Sequence, residues 1–391
     1  MMFPMRFTLL PVAACLALWG CGSGDDHADN PQVFPIAYAY VTSAAANPGE
    51  AGEVYEYAIL NDYSMSPLAQ TSIGAGINPS ALVVDQGHLY VVNAGDGTIS
   101  QYNIESDSTL TPMDPATVTN PGMQTFGVTG SAAAVDATGS FLYVANTADD
   151  SVSQFAIGSD GQLTALTPAT VAAGAAPLAV VTSNPGVIYV VNSGAAGDIG
   201  SVSQYSEAAY GGLAPTNTAA VSAGTNPSFL AFNSTHSAAY VSSDCQGTQC
   251  LGSINQFTVS TGGALTNTGA IATTASNYRT THIAIDQNGA NAYVLSNQIG
   301  TDGEAGALWR FQVGSRGELT PDPASPLSIA GVARTQTLLN GSLYVLASNA
   351  GTGSSVIAYS LGAGGAPALE ATTILSAPNP ASMAVRVLLA P

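Results

Sequence analysis

Short apolar runs recur along this chain, each bounded by a cluster of Gly, Asn, Asp or Pro. No window carries a 3.6-residue apolar period long enough for a helix. Three stretches align directly: HLYVVNAGDGTISQYNI from His88, FLYVANTADDSVSQFAI from Phe141 and VIYVVNSGAAGDIGSVSQYSE from Val187. They are one string with variable middles. A Tyr-Val pair occurs in this setting at Tyr40, Tyr90, Tyr143, Tyr189, Tyr240, Tyr293 and Tyr344. The spacings are 50, 53, 46, 51, 53 and 51 residues, and a period near 50 marks a repeat architecture rather than a set of unrelated domains.

Each repeat reads as four short strands. The first follows a turn signal, as in NPSALVV from Asn78, and the second carries Tyr-Val. The third is of the ISQY type from Ile99, and the fourth starts near a Leu-Thr, as at Leu110, Leu163, Leu265 and Leu319. Sheets of four strands that cannot bury both faces alone stack radially into a propeller. First strands start near Asn78, Gln124, Pro177, Asn226, Arg279, Arg334 and Asn379. The last of these has no Tyr-Val strand after it, and the Tyr-Val strand at Tyr40 has no first strand before it. Pairing the two completes the count. The predicted fold is all-β: a seven-bladed β-propeller of four-stranded antiparallel blades over residues 33–391, closed by residues 379–387 joining the N-terminal blade. Closure removes a pair of exposed sheet edges.

Two columns on the third strands predict how the blades adhere. Tyr57, Tyr102, Phe155, Tyr205, Phe257, Phe311 and Tyr359 recur in register and are expected to be core between neighbouring sheets. One residue earlier stand Glu56, Gln101, Gln154, Gln204, Gln256, Arg310 and Ala358, whose glutamines are expected to be partly buried and bonded to backbone. Trp309, on the third strand of blade six, is expected to pack rather than to bind sugar.

Charge narrows the function. Twenty-five acids against six bases give a net charge of −19, and all six bases are arginine. Such a chain does not neutralise a run of phosphates, so nucleic acid is not an expected partner, and an anionic membrane surface would repel its body. Without lysine, Schiff-base chemistry, a lysine general base and a phosphate-binding P-loop are excluded.

Residues 1–20 read as an export signal, with Arg6 followed by an apolar run from Phe7 to Leu18 that is too short to span a bilayer. The ending Leu18-Trp19-Gly20-Cys21 resembles the bacterial lipobox, which implies cleavage before Cys21 and acylation of its thiol. Residues 21–32 then form the lipidated cysteine and a polar tether that holds His27. The lipid bilayer is the expected partner through Cys21, and Gly22 resembles outer-membrane rather than inner-membrane sorting. Cys245 and Cys250, in CQGTQC, are expected to form a disulfide in an oxidising compartment, since a zinc site would need two more soft ligands close by. No metal and no cofactor is expected, and the chain is expected to be a monomer.

The YV-x-N strings at Tyr90, Tyr143 and Tyr189, with the Leu-Thr-Pro endings at Leu110 and Leu319, resemble the YVTN-repeat propellers and in particular the seven-bladed lactonase family. The resemblance covers nearly the whole chain after residue 33. It implies relatives that hydrolyse 6-phosphogluconolactone, relatives of carboxymuconate-cyclase type, and envelope proteins with no established reaction. The family's lactonases carry Pro-Arg-His, followed after the next Tyr-Val by Asn-Glu. Here His282 falls on the family's histidine, Thr281 on its arginine and Asn297 on its glutamate, with Arg279 two residues from the arginine position.

The candidate site therefore lies at one mouth of the central opening: His282 and Arg279 as catalytic candidates, with Arg334, Asn297 and Asp302 as ligand-binding candidates. The second-to-third loops add Asn93 with Asp96, Asn146 with Asp149 and Asp150, Asn192 with Asp198, Asp244, and Glu304, which make an acidic, amide-rich rim. His88 and His236 fall on the opposite face and are expected to be solvated. Three functions compete: a lipid-held binding or scaffold propeller, with an unidentified protein or small molecule at the channel mouth; a lactone hydrolase with His282 as base and Arg279 or Arg334 holding an anion; and a calcium-supported adhesion module. The scaffold is the leading expectation, with the hydrolase as its alternative.

Overall fold

The computed structural model describes residues 32–388, apart from 86, 124–131, 137, 184–185, 196–197, 217–219, 245–251, 273–277, 300–304 and 350–352. The signal, Cys21, most of the tether, Cys245, Cys250, Asp302 and Glu304 lie outside the described residues. From Phe34 onward the chain is a single compact unit. Every regular element among its described residues is a strand, and none is a helix able to cross a membrane.

The strands form seven antiparallel sheets of four or five strands. From the axis outward, blade two is Pro79–Val84, His88–Asn93, Thr98–Ile104 and Leu110–Thr119, and the other blades repeat this order. Tyr-Val strands are buried on both faces, as Val187–Asn192 shows along its full length, which is why their apolar runs are continuous rather than alternating. Outermost strands such as Leu110–Thr119 are largely exposed. Two of them are split: blade four into Leu213–Pro215 and Val221–Thr225, blade six into Leu319–Pro321 and Leu327–Ile329.

Blade one closes the ring as the repeat count predicts. Pro380–Val387 pairs with Pro35–Ser43, from Ala37 opposite Val387 to Ser43 opposite Pro380. Asn379 N donates to Ser43 Oγ at 3.0 Å, and Ala44 N donates to Asn379 O at 3.1 Å. Each innermost strand touches those of the blades on either side, including blade seven to blade one and blade one to blade two. Strand starts match the expected positions within about two residues in six blades; the expected start of blade three, Gln124, lies outside the described residues, and the described innermost strand of that blade is Ala132–Val135.

Two sets of side chains tie each blade to its neighbour. Forward, the Tyr-Val tyrosine donates its phenol to a turn carbonyl of the next blade: Tyr40 to Ser108, Tyr90 to Gly161, Tyr143 to Gly211, Tyr189 to Gly263, Tyr240 to Gly317 and Tyr293 to Gly365, all at 2.6–2.8 Å. The acceptor residue has positive φ in every case, 67–82°, so glycine holds five of the six positions. Gln101, Gln154 and Gln204 accept from the backbone N–H of Leu163, Leu213 and Leu265, the first residue of the next blade's outer strand. Backward, Tyr102 and Tyr205 donate to Gly74 O and Ala172 O of the preceding blade, both at 2.6 Å. The whole aromatic column is buried, and Trp309 packs edge-on against Tyr278 with its Nε1 donating to Ser296 Oγ. Each such bond contributes about 1 kcal/mol, so the ring is held by many small equal links.

Candidate functional site

A β-bulge recurs near the start of the innermost strands. The residue skipped by the ladder is Ser80 in blade two, Leu178 in blade four, Ser228 in blade five, Thr281 in blade six, Arg334 in blade seven and Ala381 in blade one. A bulge re-aims the side chain it frees. All six of these residues line one central cavity of about 790 Å³. The charged side chains on its described wall, and its imidazole, come from one group of blades. Blades five to seven supply Ser228, Asp244, Arg279, His282, Asn297 and Arg334, and the remaining blades supply groups such as Leu82, Val83, Ala133, Leu178, Met383 and Val385.

His282 follows the bulge in blade six, opposite Leu295. Just before it, the fully buried Thr280 donates its hydroxyl to Ser243 O at 2.6 Å and pins the strand to blade five. The His282 ring lies 4.9 Å from that of Phe229, tilted by 34°. Its Nδ1 is buried without a hydrogen-bond partner among the described residues. Burial with no compensating charge pushes the imidazole down to about 4, so the ring is neutral at physiological pH. A neutral ring has a free lone pair to accept a proton, though a weakly basic one.

The other candidates arrive with prior commitments. Arg279 is exposed, and its Nε stands 3.7 Å from Asp244 Oδ2, a loose ion pair at the mouth. Arg334 is exposed, lines the cavity and donates from Nε to Ser348 Oγ at 2.8 Å. Asn297 is buried, and its amide is engaged from both ends: Nδ2 donates to Ala333 O at 3.0 Å and Oδ1 accepts from Ala333 N at 2.8 Å. It joins blade six to blade seven. So the structure brings Arg279, His282, Arg334 and Asn297 to one cavity, with Asn297 acting there as a latch. Sequence spacing relates Arg279 to the position of Thr281 by simple alternation, but the bulge at Thr281 interrupts that alternation. By register, Arg334 is the counterpart of Thr281 in the next blade.

The rim expected from the loops is largely spent on the fold. Asn93 Nδ2 donates to Thr98 Oγ1 and Ser100 Oγ, and Asn146 and Asn192 bond to serines in the same way. Asp96 accepts from Ile77 N at 2.8 Å and Asp150 from Ala176 N at 2.7 Å. Among the described residues no three His, Cys, Asp or Glu side chains group as metal ligands. On the opposite face His236 is exposed as expected, but His88 is not simply solvated: its Nδ1 lies 3.0 Å from Asp85 Oδ2. The residues the sequence did not single out are Phe229, Ser228 and the apolar wall. Only backbone register identifies the bulged positions, so alternation in the sequence does not reveal them.

Comparison with known proteins agrees with this architecture. Residues 38–179 match the family model described as lactonase, 7-bladed beta-propeller. A candidate 6-phosphogluconolactonase from Bacteroides uniformis ATCC 8492 superposes with a TM-score of 0.71 at 16% identity, covering 90% of this chain and 99% of that one. The periplasmic gluconolactonase PpgL of Pseudomonas aeruginosa gives 0.67 at 18% identity, covering 91% and 99%. A protein from Lactobacillus plantarum gives 0.66 at 19%, covering 90% and 99%. No curated protein matches at a significant level. At such identities the solved structures speak for the fold alone, and the recognition made on the Tyr-Val strings holds: the chain is a seven-bladed propeller that carries the lactonase seven-bladed signature over residues 38–179.

Proposed function

We propose that the chain is a lactone hydrolase whose site is the His282 end of the central cavity. The observation that carries this is the meeting of a neutral imidazole, its Nδ1 without a hydrogen-bond partner among the described residues, with two arginines in one concave site. His282 takes a proton from water as the water oxygen bonds to the lactone carbonyl carbon. The ring C–O bond then breaks, and the proton passes to the alkoxide, giving a hydroxy acid. Arg334 and Arg279 stabilise the oxyanion and hold the carboxylate that forms. The family match and the gluconolactonase-like neighbours support this reading over a non-catalytic scaffold. The scaffold reading draws on a specific feature: Asn297 is committed to Ala333, and Arg279 is tied to Asp244.

The test is hydrolysis of a panel of sugar and simple lactones by residues 33–391, compared with His282→Ala. A loss of roughly 100-fold or more in kcat/KM supports His282 as base. Equal rates would return the chain to the scaffold reading. We place the protein in the bacterial envelope, acylated on Cys21, with the outer membrane as its site. The periplasmic neighbour supports an envelope location. Mass spectrometry of the mature N-terminus checks the acylation.

A further inference from the structure

The central opening has a second compartment. A cavity of about 660 Å³ shares Val83, Val84 and Val385 with the His282 cavity, so these three valines form an apolar waist between the two. They come from the innermost strands of blades two and one. The far compartment ends at Val387 and Leu388, which are 44% and 41% exposed. Its carboxylates are already occupied. Asp85 accepts from Gly87 N, His88 N and the His88 ring, and Asp136 accepts from the backbone N–H groups of Thr138, Ser140 and Phe141.

Arg386 also lines this far compartment, so the apolar stretch is the valine wall that lies between two charged ends. At the His282 end two guanidiniums face one carboxylate, Asp244, so the described wall there carries a single net positive charge. A polyhydroxylated phosphosugar fits this poorly. Its phosphate calls for more cationic donors, and its hydroxyls would find partners at side chains such as Ser228, Thr281 and Gln336 but none along Val83, Leu178 and Met383. One polar head and a hydrocarbon body fit the His282 end and the valine wall beside it. The geometry points to a lactone bearing an alkyl substituent: the ring lies beside His282, the carbonyl faces Arg334, and the chain runs along Val83 and Val385 into the waist. This rests on the hydrolase reading of the same cavity.

The experiment has a turnover arm and a binding arm, both on residues 33–391. In the first, kcat/KM is measured for γ-lactones of four to ten carbons and for glucono-δ-lactone. The expected result is a rise of about three- to fourfold per methylene and a preference for the long γ-lactones over the sugar lactone. In the second, binding of straight-chain alkanoates of four to ten carbons is followed by calorimetry, with the same dependence on length expected. Length-dependent binding without turnover supports the ligand class and removes the hydrolase reading. Turnover of glucono-δ-lactone with no length dependence in either arm overturns the ligand class and leaves the hydrolase reading intact. Val385→Asn is expected to flatten the length dependence. Arg334→Ala, at an exposed position, is expected to weaken decanoate about tenfold and leave decanol unchanged. An equal loss for both compounds would overturn the placement of the head group.

Discussion

The phenol of Tyr240 donates to the backbone carbonyl of Gly317 at 2.7 Å, across the seam between blades five and six. Burial pushes this phenol up to about 12, so it stays a donor at any pH the protein meets. The equivalent phenol of blade seven, on Tyr344, is buried with no partner among the described residues. The two tyrosines therefore make a matched pair. Tyr240→Phe removes a bond and strands a buried carbonyl, and should lower the unfolding free energy by about 1–2 kcal/mol. Tyr344→Phe removes a hydroxyl with no partner among the described residues and should cost under about 0.5 kcal/mol or stabilise slightly. Urea titration of both variants against the parent decides it; equal losses would show that the phenol–carbonyl links contribute nothing.

His282 gives the protein an acid-side sensitivity. Its folded value, about 4, lies below the ordinary 6.5, so the unfolded chain takes up the proton first as pH falls. The stability this represents is complete above pH 6.5 and is lost between 6.5 and 4. Unfolding free energy should fall by about 2 kcal/mol more in the parent than in His282→Gln between pH 7 and 4.5. Parallel pH curves for the two proteins would contradict the burial of a neutral ring. In the turnover assay the same displacement should keep the rate flat through pH 6.5, with its decline beginning only near pH 5.

Glu56 occupies a place where four other blades hold glutamine. Its carboxylate is fully buried, and it accepts from Leu110 N at 3.0 Å and Gln70 Nε2 at 2.8 Å. Burial raises its pKa, against the two hydrogen bonds that lower it. A raised carboxyl favours the fold below its ordinary pKa, and that contribution is lost as pH climbs through the folded value. Glu56→Gln should therefore raise stability at pH 7, with the gap closing toward pH 4. Thermal melts at the two pH values read this directly, and a lower Tm for the variant at pH 7 would refute it.

The blades were legible because one string recurs seven times, and the closure followed from a surplus strand at each end of the count. The aromatic and glutamine columns were legible for the same reason. The tyrosine's partner was not, because the carbonyl it binds lies 68–77 residues downstream, in a turn with a different sequence each time. Arg334 was named as a site residue, but its equivalence to Thr281 depends on a skipped ladder position that leaves no mark on hydropathy. Asn297 shows the opposite problem. Its amide looked like a ligand group, and only the packing of blade seven against blade six shows what it already holds.

The pairing of Ser382 with Thr42 joins positions 340 residues apart. Until that segment is in place, the first blade has only three strands and an open edge. The ring is shut only when residues 380–387 fill that gap, so the last stretch of the chain decides whether blade one keeps an edge that another strand could pair with.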